Sequence, residues 1–445
     1  MLVDTVLHNA KIYAKGELVE GGIAIDEGKI VKIAKDVNLP SASKYFNLNG
    51  HLILPGMIDC HVHLRDQQLA YEEDFFTGTA AAAAGGVTTV VDMPNNTPVT
   101  MSVASLEERM KIAKKRILVN VAFNSAFPER LNEISKVVNA GAVGFKLYLS
   151  NRVGGVDIDD DRVLGVFFKE VAANDVPVVV HAEDCEILNK KREELVAAGL
   201  KDVDAYVRGH PPEAESKSIE RVIQLVKKTG VPVHFCHLSS KLGMNVIVMA
   251  KKQGLPITCE ITPHNLLLSS EVYRRFGFFA LTDPPLRTKD DVSVLWDGLK
   301  NGFIDVIASD HAPHALKAKK VNSVWEARPG VPGLETILSL LLTIVNKGSL
   351  QLKEMVRLIS EEPAKIFHLS NKGFLDINYW ADLVVVDMKK KYKIDSSNFF
   401  SKAKYSPFDG MEVKGKAIKT FVSGQLVMNE GEITGESGIG SVITK

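Results

Sequence analysis

From residue 54 to residue 373 the chain alternates short β-branched runs with stretches of helical periodicity. This pattern constrains the fold more than any other feature. Runs that are apolar on both faces belong in a parallel sheet, and a helix must carry the chain back before the next parallel strand can start. The runs fall at 57–63, 88–94, 117–123, 143–149, 177–183, 232–238, 257–264 and 305–311. Eight βα units over roughly 300 residues predict a (β/α)8 TIM barrel of the α/β class. An open doubly wound sheet is the alternative, but no glycine-rich turn opens a helix. The glycines of AAAAGGVTTV (81–90) follow a helix, where they cap it and lead into the next strand.

The two ends of the chain have a different texture. Residues 1–53 and 374–445 read as short alternating segments split by glycine, as in hairpins. The expected division is therefore a small accessory β-sandwich domain made from both ends, with the barrel (54–373) inserted between them.

Charge excludes some classes of partner. Lys+Arg and Asp+Glu both number 54, so no net field draws the chain to nucleic acid or to an anionic membrane. The basic runs at 388–393 and 317–320 read as solvated loops. Cys60, Cys185, Cys236 and Cys259 form no CxxC pair, and each lies in or beside an apolar, strand-like run. Buried thiols in a reducing compartment are expected. The N-terminal stretch has no signal-peptide core, and no apolar run is long enough to span a bilayer. A cytoplasmic protein, homodimeric by default, is the expectation.

The polar residues in these apolar strands carry the chemistry. His61 and His63 end the first run, Lys146 lies in the fourth, His181 in the fifth, His237 in the sixth, and Asp310 in the eighth. A barrel places its active site at the C-terminal ends of its strands, so these residues converge. At i, i+2 in an extended strand, His61 and His63 point the same way and reach one ion. An HxH pair alone is equally well a polar strand end; the whole set is what points to a metal. Nitrogen donors with a carboxylate suit Zn2+, and also Mn, Co or Fe.

Lys146 is the odd member. Burial favours its neutral amine, which adds carbon dioxide to give a carbamate able to bridge two cations. Taken alone, a snorkelling or ion-paired lysine is the commoner reading. Asp310 suits metal binding and proton transfer; a helix-capping aspartate is the alternative. His314 lies in a loop above the site. His234, three residues before His237, reads as a packing residue or as one that supports the site from behind its ligands, and His8, His51, His210 and His368 as structural. In the glycine- and lysine-rich segment 312–333, Trp325 and Arg328 are candidates to close over a ligand.

The ordered motifs DCHVHLRD, MPNNTP, GFKLYL, HAED, CHLSS, CEITPHNLLLS, DPPLR, IASDHAPH and PGVPGLET run from about residue 55 to 336. Together they resemble the dihydroorotase branch of the cyclic amidohydrolases, and the flanking β segments resemble that family's accessory domain. The resemblance implies a binuclear centre. His61, His63 and Asp310 would hold one divalent ion, His181 and His237 the other, and a carbamylated Lys146 would bridge them. It implies that Arg65 and Asn95 bind the substrate carboxylate and that His314 contacts substrate. Hydroxide held between the cations would open the ring amide of dihydroorotate to N-carbamoyl-aspartate, with Asp310 as acid and base. In reverse this is a step of pyrimidine synthesis.

Two positions depart from the family pattern. Asp66-Gln67-Gln68 replaces Glu-Pro-Gly after HVHLR, and Asp283 replaces an asparagine before PPLR. A further carboxylate near an anionic substrate is unfavourable unless it is paired. The rivals are allantoinase and hydantoinase or dihydropyrimidinase, whose rings lack the carboxylate that Arg65 and Asn95 would grip. A non-catalytic scaffold relative is a more distant rival, since all six ligand positions are filled.

Overall fold

The computed structural model describes residues 2–445. Eight parallel strands follow one another in chain order around a barrel: Met57–Val62, Val87–Asp92, Asn120–Ala126, Gly144–Tyr148, Val178–His181, Val233–Phe235, Ile257–Ile261 and Val306–Ile307. A parallel bridge between Val62 and His311 joins the last strand to the first, and His63 N donates to His311 O at 2.8 Å. The ring is therefore closed, as a (β/α)8 barrel requires.

The helices between the strands are set by their termini. Asp74 with Thr77, Ser102 with Ser105, and Thr288 with Asp291 form capping boxes at the starts of Phe75–Ala84, Val103–Ala113 and Lys289–Lys300. Pro212 opens Pro212–Thr229, and Gly230 at φ +70° ends it. The inner apolar layer includes Ile58, Val91, Ala122, Val179, Cys236 and Val306, and is closed from below by Ala364, Phe367 and Leu369. Side chains fill the barrel, so reactive groups have room only at its upper rim.

The chain ends form a second, nine-stranded sheet. Leu2–Ala14 pairs in parallel with Ser41–Asn47 through its first half and with Leu52–Pro55 through its second. Leu52–Pro55 pairs antiparallel with Leu383–Lys393, which stitches the N-terminal and C-terminal halves together. Ile30, Ile53, Leu383 and Phe421 meet in one core, so the sheet folds over on itself into a sandwich. The final strand, Val442–Ile443, leaves this sheet and pairs with the third barrel strand at Val121 and Ala122.

Two sequence expectations need correction here. Lys319, in the run read as a solvated loop, is 1% exposed. Its apolar stem packs inside, and its Nζ donates to Leu281 O at 3.3 Å beneath the Tyr405 ring. Cys185, expected as a buried thiol, is only half-buried: it lies just beyond the fifth strand and opens the helix Cys185–Ala197, which Asp184 caps. Among the described residues, no helix is long and apolar enough to cross a membrane.

Candidate metal centre and substrate cavity

Local irregularity places the histidines. Ile58 and Cys60 face the barrel interior, and the register shifts between Asp59 and Val62. The alternation is reset there, so His61 and His63 also turn inward above them. His237 lies two residues past its strand at φ +33°, and Asp310 lies past its strand at φ +46°. Arg65 has φ +54°. Left-handed backbone at non-glycine residues costs energy, and it concentrates where side chains must be aimed.

His61, His63, Arg65, Asn95, His181, His237, Asp310 and His314 line one cavity of about 430 Å3 at the C-terminal rim. Lys146 lies beneath its floor, fully buried, with Nζ 2.9 Å from Cys236 Sγ and 4.9 Å from the Tyr148 ring centre. All nine residues singled out in the sequence are thus brought together. A larger hollow of about 1110 Å3 lies against the chain-end sheet near Trp380, but no cluster of ligating groups accompanies it.

Three of the histidines are held by their other nitrogen. His61 Nδ1 meets Glu260 Oε1, leaving Nε2 toward Asp310. His63 Nδ1 bonds Asn95 Oδ1 at 2.7 Å, again leaving Nε2 toward Asp310. His181 Nε2 bonds Glu183 Oε2 at 3.0 Å, leaving Nδ1 3.0 Å from His237 Nε2. Such outer partners fix the tautomer and raise the basicity of the free nitrogen.

Burial disfavours charge throughout, and neighbouring charges decide the outcome. Burial pushes His63 down to about 3 and His237 well below the ordinary range, the latter with help from His181. Burial also opposes protonation of His61, but the Glu260 carboxylate outweighs it and lifts the imidazole to about 10. For Asp310, burial pushes upward, yet His61 and a hydrogen bond from His63 hold the carboxyl well below its usual range.

The donor set fits divalent cations. Asp310 Oδ1 is 3.4 Å from both His61 Nε2 and His63 Nε2. Ligands about 2.1 Å from a tetrahedral ion lie ~3.4 Å from one another. His181 Nδ1 and His237 Nε2 converge at a similar spacing, and the other nitrogen of His237 is buried without a partner. Lys146 has sulfur as its hydrogen-bond partner and no carboxylate to neutralise it.

Several functional residues escaped the sequence reading. Glu260 is fully buried in the seventh strand, where it also takes His234 Nε2 at 3.0 Å and the His237 backbone N–H at 3.1 Å. His234 is thereby tied to the centre through Glu260. Glu183 binds His210 Nδ1 at 3.3 Å as well as His181, and His210 lies 3.5 Å from Asp283. His210 is therefore at the site margin rather than remote, and Asp283, which lines the cavity, faces His210 with its Oδ1 lacking a hydrogen-bond partner among the described residues. Glu72 is 3.8 Å from Arg65 Nε and 3.2 Å from His314 Nδ1. Trp325 turns away, its Nε1 donating to Leu200 O at 2.8 Å. The available signal was a carboxylate inside an apolar strand in CEIT, the same anomaly that exposed Lys146.

This architecture, a closed barrel with a histidine–aspartate cluster at its rim and a chain-end β sandwich, defines a barrel hydrolase with a candidate metal centre. The chain belongs to the amidohydrolase family, whose model matches residues 52–427. It is 38% identical to a dihydroorotase of Methanothermobacter thermautotrophicus over 94% of this chain and 93% of the relative. It is 35% identical to an L-hydantoinase of Paenarthrobacter aurescens over 100% of this chain and 98% of the relative. A solved L-hydantoinase (dihydropyrimidinase) from Arthrobacter aurescens superposes with a TM-score of 0.95 over 100% of both chains, at 35% identity. Cyclic amidohydrolase chemistry on a small molecule follows.

Proposed function

We propose that the chain is a dihydroorotase, interconverting dihydroorotate and N-carbamoyl-aspartate. One observation carries this reading. A guanidinium, Arg65, is buried in the wall of the same cavity as the histidine–aspartate cluster, 3.4 Å from His314 and alongside Asn95. A buried arginine at a reaction centre is costly unless an anion meets it, and its planar fork matches a carboxylate. Dihydroorotate carries one; hydantoin, allantoin and dihydrouracil do not.

His61, His63 and Asp310 would hold one cation and His181 and His237 the other, with Lys146 contributing its carbamate to both. The cations, zinc first for this nitrogen-rich set, would polarise the ring carbonyl and make hydroxide available near neutral pH. Asp310 Oδ1 accepts the proton lost by the attacking water and delivers it to the ring nitrogen as the C–N bond breaks. Its low pKa makes it a weak base, so it holds that proton only in passing. Arg65 and Asn95 orient the ring through its carboxylate. Asn95 also keeps His63 in the tautomer that presents Nε2.

An L-hydantoinase is the second reading, favoured by two carboxylates. Glu72 partly neutralises Arg65, and Asp283 lines the same cavity. Ring opening of dihydroorotate, hydantoin, dihydrouracil and allantoin, by protein loaded with zinc and bicarbonate, separates the readings. Preference for dihydroorotate, abolished by a chelator, is the expected result. Turnover of only the rings without a carboxylate refutes it.

A further inference from the structure

Arg65 is not the only guanidinium facing this cavity. Arg328 lines it too, from the loop after the eighth strand, and its side chain is exposed at the mouth. The backbone that carries Arg328 is pinned on every side. Arg328 N donates to Ala318 O at 3.1 Å, and Gly330 N to Leu281 O at 2.7 Å. Pro329 O lies 2.9 Å from His314 Nε2, and Gly330 O accepts from Tyr405 Oη at 3.2 Å. Gly330 sits at φ +137°, and a Cβ there would meet Ala312 O at 2.3 Å, so the turn cannot drift without losing this packing. Among the described residues, the Arg328 guanidinium makes no hydrogen bond and has no carboxylate within 4.0 Å, unlike Arg65.

A fixed backbone with a free charged end is what a ligand contact needs. The contrast with Arg65 is informative. The Arg65 Nε is shared between Pro313 O at 3.4 Å and Glu72 at 3.8 Å, and one Nη faces His314. The Arg328 charge also acts electrostatically on Glu72, the carboxylate that Arg65 meets. Glu72 and Asp283 lie at the cavity outside the histidine–aspartate cluster, so an entering anion meets carboxylates there with Arg65 alone beside them. A second cation at the mouth restores the balance and concentrates anionic substrate there.

We propose that Arg328 is a specificity-determining residue that closes onto the free carboxylate of a ring substrate, opposite Arg65, and so selects carboxylated rings over neutral ones. This rests on the dihydroorotase reading for its substrate class. A charge-assisted hydrogen bond contributes about 1.5–3 kcal/mol, equivalent to roughly 10–100-fold in binding.

The test compares wild type, Arg328→Met and Arg328→Lys, each loaded with zinc and bicarbonate and checked for an unchanged Tm. Calorimetry reads the Kd of orotate, a planar carboxylated pyrimidine. Kinetics read the ratio of kcat/KM for dihydroorotate to that for hydantoin. Arg328→Met should weaken orotate tenfold or more and lower the ratio by the same factor, and Arg328→Lys should recover part of both. Unchanged orotate binding, or equal losses on both rings, overturns the proposal. Wild-type turnover of dihydroorotate with a ratio insensitive to Arg328 sinks this inference and leaves the function standing. Turnover of neutral rings only refutes the dihydroorotase reading and, with it, the selectivity assigned to Arg328.

Discussion

Lys319 offers a quantitative check on how the rim of the cavity is built. Its ammonium is 1% exposed and has no carboxylate partner, and burial lowers its pKa from 10.5 to about 7. The unfolded chain therefore holds a proton that the folded chain releases between those values. Stability rises with pH across that window by about 1.4 kcal/mol per unit, and below pH 7 the full penalty remains. At pH 7.5 the penalty reaches about 4 kcal/mol, an upper bound taken from the same shift. Replacing Lys319 with Met keeps the stem that packs beneath Tyr405 and removes the charge. Little is lost in exchange, because Leu281 O still accepts from Gly330 N at 2.7 Å. The variant should melt higher than wild type at pH 7, by on the order of 5 °C for a chain of this length. The difference should shrink steadily and vanish near pH 10.5. Scanning fluorimetry of both proteins from pH 6.5 to 10.5 measures it. A difference that does not change with pH, or a Met variant less stable throughout, would show that the ammonium is solvated or paired.

Three further outcomes bear on the centre itself. Glu260→Gln keeps size but offers one acceptor where His61 and His234 both need one. Zinc affinity, read by competition with a chelator, should fall about 10–100-fold, and unchanged affinity would deny Glu260 its orienting role. Asp310→Ala should lower kcat by about 10²–10⁴-fold beyond any loss of metal; near-normal kcat at full metal content would remove it from proton transfer. Lys146→Ala should lose bound metal by elemental analysis, and short carboxylic acids should restore part of it by standing in for the carbamate. Full metal content without them would contradict a bridging role.

The barrel was legible because its strands are buried on both faces. A β-branched run such as PVVVHAE has no other stable home, and eight such runs in order leave little topological choice. Strand ends were less legible. The run at 232–238 was read as one extended segment, whereas the strand stops at Phe235 and His237 occupies left-handed backbone. Letters do not reveal that break, because it is imposed by neighbours: Glu260 takes the His237 N–H, and His181 fixes the ring. His61 and His63 were rightly paired on one face, but the register shift that brings His61 inward beside Cys60 is a property of strand pairing. Lys319 shows the same limit from the other side. A run of lysines averages to a surface, and only tertiary packing singles out the one residue drawn inward.

The orienting groups were missed because each is meaningful only as half of a contact. Glu260 stands 199 residues from His61 and Glu72 stands 242 from His314, and no periodicity links either pair. These contacts also settle what the cavity can tolerate. A carboxylate that holds a histidine from behind adds negative charge without occupying ligand space. Glu260, Glu183 and Glu72 together make the region beneath the rim anionic. Cations held among the histidines would offset Glu260 and Glu183, which lie behind those side chains. Glu72 lies behind His314 and Arg65 instead, on the side where substrate is recognised, and no metal ligand compensates it. In the dihydroorotase reading, recognition of a carboxylated ring would therefore depend on guanidinium charge supplied from outside the histidine cluster. Arg65 and, under the proposal above, Arg328 would carry that charge, so exchanging either should alter which rings are accepted far more than how many cations are held.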